Sequence, residues 1–226
     1  MIEIVAGGLK PLKEKIVFVG GTTVSLYLQP GSLDEVRPTD DVDCVAEITT
    51  YKDFYSLLVT LEKIGFKHSM DKKAPICRMN YCGLKVDIMP SEMRILGFSN
   101  IWYREGMQNA VETTLPNGEK IKIFSLPYFV AAKVEAFFGR GKGDFRLSSD
   151  IEDIVTVLNG QQNFKLLIES PDNVRQYLKK NFRNFLGNSS FLESLTAHLQ
   201  PDHKQGQNIE NLLDDINRFC AEIQAS

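Results

Sequence analysis

Two carboxylates stand where carboxylates are expensive. Asp41 and Asp43 lie two residues apart in Asp41-Val42-Asp43-Cys44-Val45, inside an apolar alternation rather than in a loop. On a strand, residues i and i+2 point to the same face, so the two acids stand side by side. Such a pair repels itself unless a cation lies between the carboxylates. Mg²⁺ fits that demand, since it takes oxygen ligands and is usually held by one or two carboxylates plus substrate phosphates. The pair therefore calls for a sheet whose strand carries a cation site at its surface. Asp40 falls on the other face and is expected to be solvated.

Upstream, the apolar run Ile16–Val19 runs into Gly20 and Gly21, then Thr22 and Thr23. Without a Cβ, the two glycines let backbone amides approach phosphate oxygens closely. The threonines suit the cap of a short helix, TTVSLYL, with its N-terminus turned to those phosphates. Glycines, threonines and paired acids together suit a nucleoside triphosphate. Residues 29–38 read as a loop from their Pro, Gly and Ser content. Pro38 biases Arg37 towards extended structure. Arg37 either reaches phosphates or pairs with Asp34 or Glu35.

Helical spacing follows over 51–64, where Phe54, Leu57, Leu58, Leu61 and Ile64 form one stripe, with Thr49 or Thr50 as cap and Gly65 as stop. Two strand-like runs, APICRMN and LKVDIMP, flank a turn at Tyr81-Cys82-Gly83. The second carries Asp87. A lone acid in an apolar strand needs a partner or a metal, and beside Asp41 and Asp43 it makes a third ligand. Residues 90–108 are irregular; Trp102 and Tyr103 either pack in a core or stack on a base. Asn117-Gly118 marks a hairpin.

The second informative stretch is Ser125–Gly160. Ser125 is placed to cap a helix from Leu126 to about Phe138, stopped by Gly139. Lys133 sits among Val130, Ala131, Val134 and Phe137, and either snorkels outward or points at an anion. A glycine-rich basic loop, Gly139-Arg140-Gly141-Lys142-Gly143-Asp144, leads to a helix with Asp150 and Asp153 on one face. Residues 161–226 read as all-helical, with Arg175, Lys179, Lys180 and Arg183 forming either a solvated face or a groove for an RNA acceptor.

These residues carry a resemblance. Gly20-Gly21-Thr22, a spacer, and Arg37-Pro38-Thr39-Asp40-Asp41-Val42-Asp43 resemble the polymerase-β-type nucleotidyltransferase superfamily, and within it the AbiEii/AbiGii-type nucleotidyltransferases, many of them toxins of toxin–antitoxin or phage-defence pairs. Ala131-x-Lys133-x-x-Ala136, the Arg140–Asp144 loop and Asp150-x-x-Asp153 extend the likeness, which covers roughly residues 15–160. The resemblance implies an α+β chain of the polymerase-β-like fold, a small mixed sheet backed by helices. Residues 1–125 would be the nucleotidyltransferase core and 126–226 a helical region completing the nucleotide site. It implies two Mg²⁺ ions, with Mn²⁺ as a substitute, on Asp41, Asp43 and Asp87. Gly20, Gly21, Thr22, Thr23, Arg37 and Lys133 would bind the nucleoside triphosphate, with Arg140, Asp144, Asp150 and Asp153 in support. Asp150 and Asp153 either take part in metal binding or hold Lys133 and Arg140 by ion pairing. The acceptor hydroxyl would belong to RNA, such as a tRNA 3′ end, or to a protein, and an antitoxin would be a partner. A small-molecule acceptor of the antibiotic type and a non-catalytic nucleotide-binding module are the competing readings.

Composition narrows the setting. The 226 residues suffice for one large domain or a domain with a helical extension. A formal net charge of −3 argues against a protein that coats nucleic acid, while leaving room for a local basic groove. The N-terminus MIEIVAGGLK lacks the apolar core of a signal peptide, and no apolar run approaches the roughly 18 residues of a membrane span. Cys44, Cys77, Cys82 and Cys220 show no metal or disulfide spacing. Cys77 and Cys82 are expected to be buried free thiols, which fits a reducing cytoplasm and no membrane partner.

Overall fold

Strand β1 (Ile16–Val19) is buried at all four residues, because it lies inside the sheet. The computed structural model describes residues 1–28, 36–97, 100–139, 143–159, 162–199 and 205–222. They divide into two compact units: Met1–Leu26 with Arg37–Ser125, and Tyr27–Val36 with Leu126–Ser226. The chain is mixed α/β, with the strands in the first unit and a run of helices in the second.

The first unit opens with α1 (Ile2–Leu9), which buries Val5, Ala6 and Leu9, and a 3-10 turn over Lys10–Lys15. Neither was legible in the weakly patterned N-terminus. A second 3-10 helix, Gly21–Tyr27, follows β1 where the sequence suggested a short helix. Then come β2 (Asp41–Ala46), α2 (Tyr51–Lys63), β3 (Lys67–His68), β4 (Arg78–Tyr81) and β5 (Leu84–Pro90). Two short helices, α3 (Met93–Leu96) and α4 (Tyr103–Gln108), precede the hairpin of β6 (Ala110–Thr114) and β7 (Lys120–Phe124). Thr50 caps α2 by accepting from the Asp53 amide, and α2 buries Phe54, Leu57, Leu58 and Leu61. Gly65 leaves the helix at a φ of 99°, a left-handed conformation that suits glycine.

The seven strands are ordered β3-β4-β5-β2-β1-β7-β6. β2 runs parallel to β5 and antiparallel to β1, while β1 runs parallel to β7. β4 starts only at Arg78, later than the run APICRMN suggested, because the Arg78 amide closes a turn onto the Pro75 carbonyl. Cys82 also departs from expectation: it sits in the β4–β5 turn at a φ of 48° and is exposed, whereas Cys77 is buried. Trp102 is buried, and the Tyr103 hydroxyl donates to Met89 Sδ at 3.4 Å, so both side chains pack in the fold.

The second unit comprises α5 (Leu126–Gly139), α6 (Ser149–Leu158), α7 (Gln162–Ile168), α8 (Asp172–Leu186), α9 (Ser189–His198) and α10 (Gln205–Ala221). α5 is buried along most of its length and packs on α6, α7 and α8. Ser148 and Asn188 cap α6 and α9 through their side chains. Phe137, Phe145, Phe185 and Phe191 form an aromatic core, with Phe137 and Phe145 centroids 4.6 Å apart and Phe145 and Phe185 centroids 5.2 Å apart. Tyr27 sits against Phe129 at 4.7 Å.

Three cations of the second unit point inward, which corrects both sequence readings of a basic face on α8. Arg175 donates to the Ile168 and Ser170 carbonyls. Lys179 is buried and donates to the Glu222 carbonyl at 2.5 Å, and Arg183 donates to the Cys220 carbonyl at 2.5 Å. The last carbonyls of a helix have no intrahelical partner and carry the negative end of its dipole. α8 supplies those partners to the end of α10.

Candidate metal centre

The sheet brings the acids together through register. Asp43 is directly across from Asp87 on the parallel β2–β5 pair, and Arg78 is directly across from Asp87 on the antiparallel β4–β5 pair. Residues in register on neighbouring strands share a face. Asp41 lies two residues before Asp43 and joins the same face, while Val42 and Cys44 are buried on the other. Asp41, Asp43 and Asp87 each offer a carboxylate oxygen within 4.8 Å of the others. The Asp41 side chain is 35% exposed and that of Asp87 only 11%, so the cluster opens to solvent at Asp41. Three hard oxygen donors this close suit a small divalent cation with open positions.

The glycines lie against this cluster. Gly20 adopts a φ of 75°, and a Cβ there would overlap the Asp43 carboxylate. A Cβ on Gly21 would come within 2.7 Å of Arg37 Nη2. Arg37 thus sits over Gly21, with Nη1 reaching the Pro38 carbonyl at 3.4 Å. Asp34 and Glu35, its alternative partners, lie outside the described residues. The two threonines differ. Thr23 is fully buried, and its hydroxyl donates to the Gly20 carbonyl at 2.9 Å, tightening the turn. Thr22 Oγ1 is enclosed, with no hydrogen-bond partner among the described residues.

Sequence reasoning overlooked Arg78. Its Nε donates to Asp87 Oδ1 at 2.7 Å, and its Nη2 donates to Asp87 Oδ2 at 2.6 Å and to Asp41 Oδ2 at 3.0 Å. Hydrogen bonding to Asp87 pushes the guanidinium's pKa up. The available signal was an arginine in the first of two strand-like runs, nine positions before Asp87 in the second, which a hairpin would pair. Burial drives the neighbouring thiols upward: Cys44 well above its ordinary value, with help from Asp43 and Asp87, and Cys77 to about 12, with help from Asp87.

The other candidate residues lie in the helical unit. Lys133 Nζ pairs with Asp150 Oδ1 at 3.1 Å and Asp153 Oδ2 at 2.6 Å, and the three side chains are 6%, 3% and 1% exposed. The lysine therefore does not snorkel. Its pairing ties α5 to α6. Asp144 Oδ1 accepts from the Arg146 and Leu147 amides at 3.0 and 3.3 Å, an Asx turn. Arg146 pairs with Glu193. Arg140 and Lys142 lie outside the described residues. Among the described residues, no helix is long and apolar enough to cross a membrane. No protein-family model matches the chain, and no curated protein matches it significantly.

Proposed function

We propose that the chain is a divalent-metal-dependent nucleotidyltransferase of the polymerase-β type, moving a nucleoside monophosphate from a nucleoside triphosphate to an acceptor hydroxyl. The observation that carries this reading is the convergence of Asp41, Asp43 and Asp87 on one sheet face, beside a glycine turn that only a residue without Cβ can make. Asp41, Asp43 and Asp87 would hold the Mg²⁺ ions. Bound there, the ions would lower the pKa of the attacking hydroxyl and stabilise the leaving pyrophosphate.

The remaining work falls to the chain. Gly20 and Gly21 let the triphosphate approach the backbone, and Thr23 steadies their turn by donating to the Gly20 carbonyl. Arg37, seated over Gly21, supplies positive charge to the phosphates. Catalysis on such a site is positioning plus electrostatics. Lys133, which the motif resemblance assigns to the triphosphate, is held between Asp150 and Asp153 and stays charged there. RNA is the acceptor we favour, with growth arrest and an antitoxin partner as the setting that the motif resemblance suggests.

The test is purified protein with Mg²⁺, each α-labelled nucleoside triphosphate in turn, and total RNA. Label should enter RNA, and both Asp41→Ala and Asp43→Ala should reduce transfer to background while keeping the wild-type circular dichroism. Label entering protein instead would move the acceptor. Full activity in either variant would refute the metal-centred mechanism.

A further inference from the structure

We propose that Arg78 is an internal counter-cation of the carboxylate cluster, which a divalent ion must displace from Asp41 and Asp87 in order to bind. The inference rests on reading that cluster as a metal site. The guanidinium grips both oxygens of Asp87 and one of Asp41, so it spans two of the three candidate ligands and two strands, β5 and β2. Arginine keeps its charge at any working pH. Its positive charge therefore leaves the cluster only if the side chain moves. A divalent ion on the same oxygens would lie within a few ångströms of the guanidinium, where like charges repel strongly. The Arg78 side chain is 23% exposed and that of Asp41 35%, so both reach solvent.

The arrangement has a use. Three acids this close destabilise one another, and Arg78 offsets that repulsion when no ion is bound. An incoming metal nucleotide supplies both the replacement cation and phosphate oxygens, to which a released guanidinium fork is well matched. Arg78 is thus a positioning residue that couples metal entry to nucleotide entry.

The test is Mn²⁺ binding to the full chain by calorimetry and by thermal shift, using wild type, Arg78→Met and Arg78→Lys, with Asp41→Asn to locate the site. Arg78→Met should melt below wild type without metal, bind Mn²⁺ about tenfold tighter or more, and gain more in melting temperature from Mn²⁺ than wild type does. Arg78→Lys keeps the charge but loses the fork, and should fall between the two. It carries the comparison if the methionine variant does not fold. Equal or weaker Mn²⁺ binding by the folded variants, with normal binding by wild type, would overturn the displacement role and leave the metal site standing. Folded wild type that binds no Mn²⁺ would overturn both.

Discussion

Replacing Lys133 with methionine probes the buried charge cluster of the helical unit. Methionine keeps an unbranched apolar stem and removes the ammonium. That ammonium lies 3.1 Å from Asp150 and 2.6 Å from Asp153. At an effective dielectric near 20, each contact represents about 5–6 kcal/mol of gross attraction. Most of that offsets the cost of taking three charges out of water. Removing one partner from a buried pair leaves a net loss of about 3–5 kcal/mol. For a chain of this length the loss lowers the melting temperature by about 6–20 °C. Urea unfolding followed by far-ultraviolet circular dichroism gives the free energy, because the single tryptophan, Trp102, lies in the other unit. Adding Asp153→Asn to Lys133→Met should recover part of the loss, because the variant then buries one charge fewer, and the double-mutant cycle isolates that coupling. A loss below about 1 kcal/mol, the value of an exposed pair, would refute the claim that this lysine is held inside.

Two further outcomes are expected. Gly20→Ala forces a left-handed backbone on alanine, at roughly 1–2 kcal/mol, and drives its Cβ into the Asp43 carboxylate; Mn²⁺ binding should weaken sharply, while Gly21→Ala, whose new Cβ meets the ends of Arg37 and Thr39, should bind more nearly like wild type. Iodoacetamide at pH 8, read by peptide mass spectrometry, should label exposed Cys82 first and Cys44 and Cys77 last, since burial holds both of the latter thiols protonated; early labelling of Cys77 would contradict its enclosure.

The cysteines also show where sequence reasoning stops. Cys77 and Cys82 sit in similar apolar surroundings, yet one is buried and the other exposed. Position within a turn separates them, and apolar composition does not report it. Arg78 is a sharper case. Nothing local to Arg78 names Asp41 as a partner 37 residues away. That contact depends on β5 lying between β4 and β2 in the sheet.

What the chain determined by itself is the set of features with short periods. The period-two alternation placed Asp41 and Asp43 on one face of a strand and Asp87 on another strand. The stripe from Phe54 to Leu61 produced α2, and Asn117-Gly118 closed the hairpin. These follow from backbone geometry within a few residues. Tertiary structure decided where several long charged side chains point. It set the parallel register that puts Asp43 beside Asp87, enclosed Lys133 between Asp150 and Asp153, and turned Lys179 and Arg183 onto the end of α10. A lysine on an apolar helix face carries the same local pattern whether its tip finds water or a buried carboxylate. Which it finds depends on the element packed opposite, and that element is chosen by the whole fold.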